Sequence, residues 1–224
     1  MEFFDRLKQE TASERADLYA VPILVDAMQG RITRDMHVAH LEQAYHHVKH
    51  AVSLVMLMAG RLPKDKEWLR RLLIEYIKEE TGHEDWILDD IKNISGEAKA
   101  EAVKNGRPGL SVELMNAFNY DFIMRKNPLG YFGMIFVLEN ASTDIGTQAT
   151  EALQKSFGVG KESISYLASH SSLDVEHVDF IGNILNKITD SKDQEDIIHA
   201  SRVIYRLYAD MFRNIPNTYA KQAA

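Results

Sequence analysis

The chain contains no cysteine. That removes disulfides, thiolate metal sites and cysteine nucleophiles together, so any metal must be held by histidine, aspartate or glutamate. Proline is scarce. The five prolines, at 22, 63, 108, 128 and 216, punctuate the sequence without crowding any part of it. There is no internal repeat, no low-complexity tract and no linker, so residues 1–224 are expected to form one domain. Basic residues are in the minority, with 26 Lys and Arg against 33 Asp and Glu and a formal net charge of −7. No basic block stands out, which argues against nucleic acid and membrane as partners. Long hydrophobic runs are also absent. The run Val52 to Ala59 is far too short to span a bilayer, and the opening Met1-Glu2-Phe3-Phe4-Asp5-Arg6 is too charged for a signal peptide. A cytoplasmic location is the expectation.

Hydrophobic residues make up 45% of the chain, enough for a sizeable core. Period-3.6 patterning recurs and strand alternation is scarce, which predicts an all-α helix bundle. Caps and Gly or Pro stops place helices at about Ser13–Gln29, Thr33 to before Gly60, Lys64–Asn93, Glu97–Lys104, Ser111 to before Pro128, Gly130–Phe157, Glu162–Thr189 and Asp193–Arg213.

Several polar residues fall where these helices should be apolar. In Lys64–Asn93, Leu69, Leu72, Leu73, Tyr76 and Ile87 form a stripe, and Glu80 and His83 lie on it. Three residues apart on one helix, they can grip one ion; the other reading is an exposed acidic turn. In Glu162–Thr189, His170, Asp174 and His177 sit at the centre of a stripe made by Tyr166, Leu167, Val178, Ile181, Leu185 and Ile188. Spacings of four and three put all three on one face. Burying an acid and two imidazoles requires a partner, and a metal is the simplest, with a hydrogen-bonded core triad as the alternative. Glu139 follows eight uncharged residues and is succeeded by Ser142, Thr143 and Gly146, the pattern of a buried carboxylate beside a cavity or of a helix whose buried face ends there. In Thr33–Ala59, Glu42 and His47 flank the apolar stripe on opposite sides. Most of the five histidines there, His37, His40, His46, His47 and His50, are expected at the surface or behind ligands.

In chain order the candidate metal ligands are Glu42, Glu80-x-x-His83, Glu139 and Asp174-x-x-His177, with His170 added one turn earlier. This is the ligand order of di-iron carboxylate bundles. Two iron ions suit it, with manganese as the alternative: hard carboxylates bridge and neutralise paired cations, and histidines complete each ion.

A family resemblance follows from these residues. The segments Pro22-Ile23-Leu24, Gly30-Arg31-Ile32-Thr33 and Leu41-Glu42-Gln43-Ala44-Tyr45 resemble the start of the haem-oxygenase-like superfamily that includes thiaminase II (TenA) and pyrroloquinoline-quinone synthase. The later motifs, Glu80-Thr81-Gly82-His83, Glu139 and His170-x3-Asp174-x2-His177, resemble its di-iron oxidases and oxygenases. The resemblance covers about residues 15 to 185. It implies a haem-oxygenase-like bundle of seven or eight helices. It also implies an iron-dependent oxidoreductase that uses dioxygen and an external electron donor to oxidise a small organic acid or amine. Thiaminase II often uses a cysteine, which is missing here, and a buried ligand set differs from the single axial histidine of haem oxygenase. Two other functions share the scaffold: a metal-free thiaminase-II-like hydrolase or cofactorless oxidase using its acids for proton transfer, and a non-catalytic interaction protein. The oligomeric state stays open, a homodimer being the commonest symmetric choice.

Overall fold

The computed structural model describes residues 1–158 and 164–222, apart from the side chains of 147, 169–176 and 216–222. Among them there is no strand. The α-helices are α1 (Phe3–Glu10), α2 (Ala12–Tyr19), α3 (Pro22–Met28), α4 (Arg34–Val48), α5 (Ala51–Arg61), α6 (Glu67–Glu80), α7 (His83–Ser95), α8 (Glu97–Lys104), α9 (Leu110–Asp121), α10 (Phe132–Ala141), α11 (Thr147–Phe157), α12 (Ser165–Asn186) and α13 (Ser191–Gln222). No helix among the described residues is long and apolar enough to cross a membrane.

The rods expected from the sequence are present, but most are segmented. Pro22 opens a new helix, as proline does at a first helical position, so Ser13–Gln29 becomes α2 and α3. The helix from Thr33 begins as expected, with Thr33 Oγ1 accepting from Met36 N at 3.1 Å, and then changes course at Lys49 and His50. The helix from Lys64 is broken inside its ligand motif: Thr81 is extended, and Gly82 adopts φ +94°, a left-handed conformation that glycine takes without steric penalty. Glu80 therefore ends α6 and His83 begins α7, so the pair do not share one helix as the sequence suggested. The helix from Gly130 divides into α10 and α11 around a π-helical turn, Ser142–Gly146.

The long helix α13 packs on α10, α4 and α9. It lies tightly against α10 at Gly133, where an added Cβ would lie 2.6 Å from Ser201 N and 2.8 Å from Ala200 Cβ. Neither neighbour can swing aside. Gly133→Ala is expected to lower stability by about 1–3 kcal/mol, the usual range for overpacking, read as the shift of the urea midpoint. An unchanged midpoint would show that the two helices separate freely. Beside this main core, Val38, Leu41, Ala44 and Tyr45 of α4 cluster with Ile87 and Ile91 of α7, which holds the two helices together.

Candidate metal centre

Three helices bring Glu80, Glu139 and His177 together. One ligand atom from each lies within 4.8 Å of the others, and all three residues are buried. Glu80 comes from the last turn of α6, Glu139 from the third turn of α10 and His177 from the middle of α12. Across the Gly82 break, His83 Nδ1 stands 3.3 Å from Glu80 Oε2, and the His83 ring stacks on Trp86 at 4.3 Å. His177 lies between two acids, with Nδ1 3.5 Å from Glu139 Oε2 and Nε2 3.2 Å from Glu79 Oε2. Tyr76 donates to Glu139 Oε1 at 2.8 Å. Burial first, and then the charges of Glu139 and Glu80, push the Tyr76 phenol well above its ordinary pKa, so it keeps its proton.

Of the residues named from the sequence, the structure therefore gathers Glu80, His83, Glu139 and His177. It does not gather Glu42. That residue pairs with Lys99 of α8, because its side of α4 faces α8 instead of the bundle interior. His170 and Asp174 lie on α12, and their side chains fall outside the described residues. The sequence reading did not single out Glu79, which reaches His177 from a half-exposed position. The adjacent pair Glu79-Glu80 was its only signal.

The centre opens on a cavity of about 130 Å3. Tyr76, Ile135 and Tyr166 line it, as the sequence suggested, whereas Phe132 and Phe136 are core residues away from its wall. Gly146 in the π turn after Glu139 also faces it. Such turns widen a helix locally and are frequent at functional sites. The histidines of α4 depart from expectation: His37, His46 and His47 are buried, and His37, His40 and His47 line the cavity. Helix α12 is anchored at its start by Asp90, which accepts from Ser165 N (2.8 Å), Ser165 Oγ (2.7 Å) and Tyr166 N (2.9 Å). These satisfy donors that a helix start otherwise leaves unpaired and so help set the position of His177.

The donor set fits iron. Carboxylate and imidazole ligands without thiolate suit a first-row divalent metal. Two buried carboxylates this close repel one another, and a cation between them relieves the repulsion.

A sequence family described as "Iron-containing redox enzyme" matches residues 38–209. No curated protein matches the chain. Solved structures share the fold at low identity. A domain of unknown function with a haem-oxygenase-like fold from Shewanella denitrificans has a TM-score of 0.86 at 19% identity, covering 100% of this chain and 96% of its own. A TenA homologue from P. horikoshii has a TM-score of 0.79 at 11% identity, with 96% and 98% covered. Haem oxygenase-1 from the cyanobacterium Synechocystis, in complex with haem, has a TM-score of 0.76 at 9% identity, with 100% and 96% covered. The all-α, haem-oxygenase-like fold expected from the sequence is thus the fold observed.

Proposed function

The chain belongs to the iron-containing redox enzyme family, and from that premise we propose that it is a non-haem oxygenase or oxidase that uses two iron ions and dioxygen to oxidise a small organic acid or amine. The observation that carries this reading is the convergence of buried Glu80, Glu139 and His177, the two acids at the wall of a largely apolar cavity. His83 stands beside Glu80 and joins the set. His170 and Asp174, seven and three residues before His177 on α12, complete it by their spacing. Bound iron would supply the reactivity toward dioxygen, with electrons from an external donor.

The chain's own residues do the rest. Tyr76 holds its proton and directs it at Glu139 Oε1, which fixes the carboxylate and leaves Oε2 turned to His177. The apolar wall lowers the polarity around the reacting end and strengthens electrostatic interactions there. It also selects substrates that are mostly hydrocarbon.

Anaerobic addition of Fe(II) tests the reading. After desalting, about two irons per chain should remain, and exposure to dioxygen should produce a new optical band. If iron washes out, or dioxygen changes nothing, the reading fails and metal-free chemistry on the same scaffold takes its place.

A further inference from the structure

The cavity has a second polar end that the metal reading leaves unexplained. His37, His40 and His47 project from one face of α4 into the same cavity, and His37 and His47 are ten residues apart. At 1.5 Å per residue this places them about 15 Å apart along the helix. The His47 end lies toward the metal centre: the charges of Glu84 and Asp85, in the first turn of α7 after His83, reach Tyr45. The His37 end lies against the other end of the bundle, its ring 5.8 Å from that of Phe157 at the end of α11. The rest of the lining is mostly apolar, with Ile23, Leu24, Leu138 and Leu153 among it.

His37 is almost fully buried, and its Nε2 has no hydrogen-bond partner among the described residues. Its ring lies 6.2 Å from that of His40, which stacks on Phe212 at 5.2 Å. A buried imidazole nitrogen without a partner is unfavourable, and a ligand with a hydrogen-bonding group removes that penalty. Among the described residues, no lysine or arginine lines the cavity, and its only acids are Glu80 and Glu139. A charged group at the His37 end would therefore have no counter-ion. Burial also holds His37 and His40 neutral, with pKa values lowered to about 3 and about 4.

We propose that His37 and His40 form a second binding subsite, which takes an uncharged hydroxyl or carbonyl at the far end of an elongated apolar substrate. The proposal rests on the reading that the substrate reacts at Glu80, Glu139 and His177. The cavity's 130 Å3 holds roughly ten water-sized atoms, which sets the substrate at about the size of an eight-carbon chain with a polar group at each end.

Two probe pairs test it by titration calorimetry. Octane-1,8-diol and octan-1-ol are compared on the metal-free protein, and 8-hydroxyoctanoate and octanoate on the Mn(II)-loaded protein. In each pair the probe with the extra hydroxyl should bind about three- to tenfold more tightly, the worth of one neutral hydrogen bond. In His37→Leu and His40→Leu that preference should vanish while the probe lacking the hydroxyl binds within about twofold of wild type, which shows the cavity intact. His37→Gln, which keeps a hydrogen-bonding group, should retain part of the preference. Equal binding within both pairs, a preference that survives both leucine variants, or no binding of any probe would overturn the subsite. The diol pair needs no metal. Hydroxyl preference there without iron binding supports the subsite and defeats the iron reading; iron binding without hydroxyl preference does the reverse.

Discussion

Saturating Fe(II) or Mn(II) should raise the melting temperature by about 10 °C, and His177→Ala and Glu139→Ala should each remove most of that rise. Without metal the centre is destabilising, because Glu80 and Glu139 lie buried within a few ångströms of each other. A metal that binds only the folded chain stabilises it by mass action, about 4 kcal/mol at a thousandfold excess over Kd. For a chain of this size that corresponds to about 10 °C. Glu139→Ala also strands the buried Tyr76 hydroxyl, so the metal-free baseline should fall as well. The quantity to compare is therefore the metal-induced shift, with Glu139→Gln as the variant that keeps the packing. His199→Ala, at an exposed position, and His37→Leu, at the far end of the cavity, should keep the full shift. Acidification should erase it in the wild type, since protonated imidazoles no longer ligate. Full shifts in both alanine variants would place the metal elsewhere or nowhere.

The metal-free protein should lose on the order of 6 kcal/mol between pH 7.5 and pH 5. Burial lowers His37 to about 3, His40 to about 4 and His46 to about 4, from an ordinary 6.5. For His46 the neighbouring cation of Lys49 adds to the effect. The sign follows from which state takes up protons. As pH falls below 6.5 the unfolded chain protonates these imidazoles and the folded chain does not, so stability is complete above 6.5 and declines toward the folded values. Each group contributes about 2 kcal/mol of loss by pH 5. Against a typical total of about 5–15 kcal/mol, three such groups bring the protein near its unfolding threshold. Urea midpoints in the presence of a chelator at pH 7.5, 6 and 5 measure the slope. His37→Leu and His40→Leu should each reduce the loss between pH 7.5 and pH 5 by about 2 kcal/mol, one group's share. A slope unchanged in both variants would show that these histidines titrate normally in the folded chain.

How much could be read from the chain differs from residue to residue. Period-3.6 patterning and the cap at Thr33 were enough for an all-helical bundle, because helix formation depends on neighbours three and four residues away. Glu80, Glu139 and His177 stood out for a related reason: a titratable group on an apolar stripe is visible in one dimension. By itself, then, the sequence determined the helical class, the absence of any thiolate ligand and a set of acids and imidazoles on apolar stripes. Tertiary structure decided the rest. Glu42 and His47 flank the same stripe symmetrically, and only the packing of α8 against α4 gave Glu42 the amine of Lys99 while His47 turned to the cavity. The left-handed turn at Gly82 and the π turn after Glu139 depend on how successive helices must meet, which local propensity does not encode. The burial of His37 and the partial burial of His40 are of the same kind. Nothing near them in sequence marks them as interior, and they become so because α11 and α13 close over that end of α4 with Phe157 and Phe212.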